Sequence, residues 1–183
     1  MPHEALVGII EQRTEGVRDW PTPIPNLGFW RREKPEPPAV CMVAPSVVLV
    51  AQGTKKMWVG DQCYEYDTDR LLITSLDLPA NSEVVTASPQ KPCLGLVLNL
   101  DLRLLADLIS QGSLPPPMEK PGDRGMGIGT VTPHIIEAFR RLLDLLDEPE
   151  AIPVLAPLIQ REIHYRLLMS NQAALLQRIV AVG

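Results

Sequence analysis

Hydrophobic and polar positions along this chain follow two regimes that meet near residue 100. Between residues 40 and 99 the apolar residues come in short runs or alternate with polar ones, the period of strands. The stretch VAQGTKKMWVGDQCYEYDTDRLLIT, residues 50–74, shows the pattern most clearly. Two alternating segments flank Gly60-Asp61, a pair that closes a tight hairpin because glycine reaches positive φ without a Cβ clash. In the first arm Trp58 shares a side with Lys56, while Met57 and Val59 lie opposite. In the second arm Tyr64 and Tyr66 share a side, with Cys63 and Glu65 opposite. Asp67 to Asp69 turns the chain into a buried strand that ends at Pro79, and residues 82–88 and 92–100 give two more. Upstream, prolines at 21, 23, 25, 35, 37 and 38 exclude a helix and leave residues 27–32 extended.

After Asn99 the apolar period becomes helical. Asp101 is placed to cap residues 102–110, with Gly112 closing them. Residues 113–130 hold prolines and glycines and read as a loop. Thr132 caps a helix with Pro133 at its first position, where the missing N–H costs nothing. Ile135, Ile136, Phe139, Leu142, Leu143 and Leu146 form its stripe. Residues 153–169 form another helix, with Leu155, Leu158, Ile159, Ile163 and Leu167 on one face. Asn171 is placed to cap the last, and residues 4–14 give a short helix at the start through Leu6, Ile9 and Ile10. The fold class expected is α+β, mainly β: a small antiparallel barrel or sandwich in residues 1–100, then a helical region in 101–183.

Composition narrows the function. A net charge of −5, with basic residues only in scattered pairs, makes this chain a poor nucleic-acid binder. Three cysteines without a CxxC pair, and no signal peptide, fit a reducing cytoplasm and small buried thiols. No apolar run reaches the roughly 18–20 residues of a membrane span, so no membrane partner is expected. The three histidines, His3, His134 and His164, fall at a terminus or on helices. Small metal-dependent barrels place theirs on adjacent strands, so neither a metal nor another cofactor is expected. The glycine-rich residues 122–129 follow a proline loop rather than a strand, the wrong setting for a phosphate cradle. No GxSxG or P-loop occurs, and the chain is not expected to be an enzyme.

Trp58, Tyr64 and Tyr66 crowd one hairpin and are either ordinary sheet packing or the wall of a small-molecule pocket. Ser75 and Asp77, at the end of a strand, are candidate polar anchors or simple turn contacts. The helical stripes either cover an open sheet face or pair with a second copy through Leu155, Leu158, Ile159 and Ile163.

Several pieces in order carry a family resemblance: Pro45-Ser46 before an apolar strand, Gln52-Gly53 at its end and the Gly60-Asp61 hairpin. Tyr64 and Tyr66, Asp77 to Pro79, and Ala87 to Pro92 follow. Together with residues 156–179 they resemble the N-terminal domain of a subgroup of AraC/XylS-type transcriptional regulators, over residues 24–181. The resemblance implies a cupin-like barrel followed by helices, serving to sense a small-molecule effector and to dimerise. It implies a homodimer, and DNA contact through a C-terminal helix-turn-helix domain of about a hundred residues that is absent from this chain. Where the family often carries an aromatic residue, this chain has Cys93, which makes Cys93 a further candidate for the pocket. The alternatives are a cupin-like enzyme and a stand-alone ligand-binding protein.

Overall fold

The computed structural model describes residues 2–75, 77–112, 114 and 125–182. A helix α1 (Pro2–Arg13) precedes nine strands: β1 (Asp19–Pro21), β2 (Leu27–Arg32), β3 (Glu36–Val43), β4 (Ser46–Gln52), β5 (Thr54–Val59), β6 (Gln62–Asp67), β7 (Arg70–Thr74), β8 (Leu78–Thr86) and β9 (Cys93–Asn99). Then come α2 (Leu102–Ser110), β10 (Met126–Thr130), α3 (Pro133–Asp144), α4 (Ile152–Leu168) and α5 (Ala173–Val182). The strands form one sheet in the order β1-β2-β9-β4-β7-β6-β5-β8-β3, with β10 beside β7. Every pairing is antiparallel.

Two local features curl this sheet into a half-barrel. First, β6 and β7 share only the Asp67–Arg70 rung and then part, and β10 takes the place of β6 along β7 from Arg70 to Thr74. Second, register shifts at Val50/Gln52, at Thr54/Lys55 and at Glu36/Ala39 bend the strands they interrupt. The curl brings the Arg18 guanidinium, just before β1, onto the Glu36 carboxylate at the start of β3, with contacts of 2.7 and 3.1 Å. These are the two edges of the sheet.

The central strands are buried on both faces. Val47, Leu49 and Ala51 of β4, Leu71 and Ile73 of β7, and Leu94, Leu96 and Leu98 of β9 join one core with the helices. Leu6 and Ile10 of α1, Phe139 and Leu142 of α3, Ile163 and Leu167 of α4, and Leu176 of α5 cover them. Each such side chain contributes roughly 1.5–3 kcal/mol on leaving water. The alternate residues, Val50, Leu72 and Cys93, belong to a second cluster with Trp30, Met57, Tyr66, Ala80, Val84 and Met126. That cluster lies on the concave side of the half-barrel.

The helix caps form as the sequence requires: Asp101 accepts from the Leu104 N–H at 3.1 Å and Thr132 from the Ile135 N–H at 3.3 Å. Charged pairs tie the cover together, Arg141 to Glu162 between α3 and α4, and Arg161 to Asp107 between α4 and α2. Within it, the fully buried His164 ring accepts from the Asp101 N–H at 2.9 Å and donates to the Gln160 carbonyl at 2.6 Å.

Three expectations need correction. Residues 126–130, expected to lie in a loop, form β10. Their side chains are small where neighbours press closely: a Cβ on Gly127 would collide with the Gln172 amide and one on Gly129 with Leu71. The open edge of β7 supplies the hydrogen bonds that local propensity does not. The glycine-rich residues 122–124 lie outside the described residues. The strand expected to end at Pro79 instead ends at Thr74, and Pro79 lies within β8 opposite Met42. Asn171 does not cap the last helix; its carboxamide accepts from the Thr130 N–H at 3.2 Å and so binds β10.

Burial holds His164 below the ordinary histidine pKa. The unfolded chain then binds this proton more readily than the folded one, so stability falls as pH drops below about 6.5. Glu36 and Asp67, held low by Arg18 and Arg70, lose their contributions only further into the acid range. Urea unfolding at pH 7.5 and 5.5 is expected to show lower stability at 5.5, and His164→Asn to remove most of that difference while lowering stability at both.

Candidate functional site

The concave face is built from inward positions of strands far apart in the sheet. On β5 these are Lys55 and Met57, and the register sets Lys55 opposite Tyr66 and Met57 opposite Tyr64 on β6. Four strands separate β5 from β2 in the sheet order, yet the Lys55 ammonium sits 4.6 Å from the centre of the Trp30 ring. The curl makes that contact possible, and Gly95 makes room for it. A Cβ on Gly95 would overlap both the Trp30 indole and the Leu49 carbonyl. Gly53, with φ of +99°, lets the chain turn over the Cys93 thiol.

This lining is apolar except at a few points, and those points are poorly satisfied. Lys55 is only 8% exposed, and among the described residues no carboxylate pairs with it. Burial lowers its pKa, and nearby Arg32 adds to the effect. The Tyr66 and Thr74 hydroxyls are buried without a hydrogen-bond partner among the described residues. Burial also raises the Tyr66 pKa; the nearby Ser82 side chain opposes that shift without reaching hydrogen-bond geometry. Burial pushes the Cys93 thiol up to about 11 and raises Cys41 as well, against the pull of Lys55. Both are therefore thiols at neutral pH and poor nucleophiles. Arg32 is engaged elsewhere, donating to the Arg18 and Arg31 carbonyls and to Asp19.

The structure divides the residues singled out in the sequence. Tyr66 and Cys93 lie in the concave cluster, and the half-buried Tyr64 packs against it. Trp58 points the other way, its indole N–H donating to Glu83 at 2.9 Å on the outer face. Ser75 is buried beyond the end of β7, donating to the Gly125 carbonyl at 2.9 Å, and Asp77 is exposed. Trp30, Lys55 and Thr74 were missed. One signal for Lys55 was present: it keeps the two-residue phase of Met57 and Val59, the apolar side of its strand.

On α4 the exposed stripe runs through Val154, Leu155, Leu158 and Tyr165 and on to Met169 just past its end, with Leu158 62% exposed. Ile163 is fully buried against its own chain and Ile159 is half-buried beside it, so these two serve the core rather than the surface. Two surface clefts flank the half-barrel. One of about 590 Å³ lies between α1 and the strand ends at Gly53, Asp67 and Thr86. The other, of about 490 Å³, lies beside Arg18, Arg31 and Glu36. Neither is lined by Lys55, Tyr66 or Trp30. Among the described residues no group of His, Cys, Asp and Glu side chains is arranged to hold a metal ion, and no helix is long and apolar enough to cross a membrane.

The fold is thus a curled antiparallel sheet with helices on one face and a separate, polar-studded cluster on the other. The family model of the AraC-type transcriptional regulator N-terminus matches residues 23–175, and the chain belongs to that family. Among solved structures, unsaturated fatty acid-bound wild-type ToxT from Vibrio cholerae strain SCE256 is similar, with a TM-score of 0.53 at 10% identity over 73% of this chain and 51% of that one. ToxT from Vibrio cholerae O395 gives 0.50 at 9% identity over 76% and 51%. The AraC-like transcriptional activator CuxR gives 0.43 at 12% identity over 82% and 52%. At such identities the likeness shows the fold, and this chain spans about half the length of the solved structures it matches. No curated protein sequence matches the chain.

The Trp30–Gly95 contact is testable. Gly95→Ala is expected to destabilise the fold by about 1–3 kcal/mol or more, because backbone as well as indole must move. Chemical denaturation monitored by tryptophan fluorescence measures it.

Proposed function

We propose that this chain senses a small-molecule effector on the concave face of its half-barrel and passes the state to a DNA-binding segment outside it. One observation carries the reading. The concave cluster is distinct from the core that closes the fold, and it holds buried polar groups that nothing among the described residues satisfies. Such groups are costly unless a function retains them. A ligand there would replace packing around Met57, Leu72 and Met126 and supply the missing partners. The reading is one of binding, and burial keeps the Cys41 and Cys93 thiols protonated rather than nucleophilic. That ToxT binds an unsaturated fatty acid within a similar fold supports an effector with an apolar body.

The same reading gives β10 a role in transmission. Met126 and Ile128 pack on the concave cluster, while the β10 backbone is held by the corner between α4 and α5. Gln172 donates to the Ile128 carbonyl at 3.0 Å and Asn171 accepts from the Thr130 N–H. A ligand that shifts Met126 therefore shifts the mount of α5. Ligand preference for one arrangement biases whatever follows.

The exposed stripe on α4 is the surface for a second copy of this chain. A helix-to-helix contact through Leu155 and Leu158 would remove it from water. We expect sedimentation equilibrium to show a dimer for the wild type and a folded monomer for Leu158→Asp; a wild-type monomer at high micromolar concentration would remove this interface. For the sensing role, thermal shift with apolar-bodied metabolites is expected to find ligands that stabilise the wild type and lose affinity in Met57→Ala. An effector that leaves operator affinity of the whole regulator unchanged at saturation would refute the sensing role.

A further inference from the structure

We infer that Lys55 is the receptor for an anion, the carboxylate of a small apolar-bodied ligand held on the concave face, with the Tyr66 hydroxyl as second donor. The inference rests on the sensing role proposed above and adds the chemistry of the ligand's polar end.

The placement of Lys55 is the first argument. Its inward phase on β5 is shared with Met57, and an aliphatic residue there would pack at lower cost. Side chains of lysine normally run along apolar surface and bring the ammonium to water. Here the ammonium lies over the Trp30 face, 4.6 Å from the ring centre, and the residue as a whole is only 8% exposed. A contact between a cation and an aromatic face offsets only part of what water supplied. Asp19, the carboxylate that acts on Lys55 from a distance, is itself paired with Arg32.

The second argument is the neighbour. Tyr66 occupies the opposite position on the same rung, and both side chains face Cys41, Cys93 and Arg32. Its hydroxyl has no hydrogen-bond partner among the described residues. One ammonium and one phenol hydroxyl match the two oxygens of a carboxylate. A phosphate would need more donors than this face offers, because Arg32 is already satisfied. Beyond the rung, Met57, Leu72, Val84 and Met126 continue as an apolar wall, which fits a hydrocarbon or aromatic body.

Isothermal titration of the 183-residue chain with two matched pairs, decanoate against 1-decanol and benzoate against benzyl alcohol, tests the assignment. In at least one pair the acid is expected to bind about tenfold or more tightly than its alcohol, the range of one charge-assisted hydrogen bond. Lys55→Met is expected to erase that preference while keeping the affinity for the alcohol, and Lys55→Arg to retain it. Equal binding of acid and alcohol by the wild type, or a preference that survives in Lys55→Met, overturns the anion assignment and leaves small-molecule sensing standing. Failure of every probe to bind the wild type overturns both. Unfolding without ligand adds an independent check. Lys55→Met is expected to be at least as stable as the wild type, and a large drop in its melting temperature would make Lys55 a structural contact of Trp30 and overturn its role as receptor.

Discussion

Everything in this fold depends on strands that are buried on both faces. A strand has a two-residue period, so β4, β7 and β9 each divide their side chains between the helix-covered core and the concave cluster. A slip of one residue would exchange the two sets and place Val50, Leu72 and Cys93 under the helices. Register is therefore fixed by packing on both sides at once. The glycines follow from the same constraint. Gly95 faces the concave side at the point where Trp30 crosses the sheet, and any side chain there would hold the half-barrel open. The split between β6 and β7 then gives the curl its axis, and β10 fills the gap it leaves.

Much of this was legible in the sequence, because alternation and capping are local. The hairpin at Gly60-Asp61 appears where expected, with Val59 opposite Gln62. So do the Asp101 and Thr132 caps and the division of residues 133–143 into buried and exposed faces. What was not legible depends on distant partners. Residues 126–130 carry no strand propensity of their own; the edge of β7 and the carboxamides of Asn171 and Gln172 recruit them. Asn171 reads as a cap from sequence because its type fits the position, but its carboxamide finds backbone groups on a strand 41 residues away. The candidate site was half visible for the same reason. Aromatic crowding in the β5–β6 hairpin drew attention to Trp58, and alternation alone does not say which of its two sides is concave. Trp30 and Lys55 meet only after the sheet has closed.

The two faces of the sheet use polar chemistry in opposite ways. In the helical cover the buried His164 and Gln160 are answered. The His164 ring uses both nitrogens, and Gln160 reaches the Pro25 carbonyl at 2.7 Å, which ties α4 to the loop before β2. A satisfied network of this kind rigidifies. On the concave face the Tyr66 and Thr74 hydroxyls have no hydrogen-bond partner among the described residues, and Lys55 has the Trp30 ring. The contrast lies within one molecule built by one sequence, so poor packing in general does not account for it. Sites retained for binding commonly hold stability in reserve in this way, since the groups that recognise a ligand are costly when it is absent.

That contrast gives the β10 contacts their physical meaning. Two carboxamides and a backbone edge hold the α4–α5 corner against a strand whose opposite face packs on the unsatisfied cluster. Hydrogen bonds of this geometry tolerate little displacement, whereas the side chains of Met126 and Ile128 can repack. A change on the concave side therefore meets a soft layer first and a stiff one next. Beyond the stiff layer lies α5, whose Leu175 and Leu176 are anchored in the helical core. The corner therefore ties the position of β10 to that of α5.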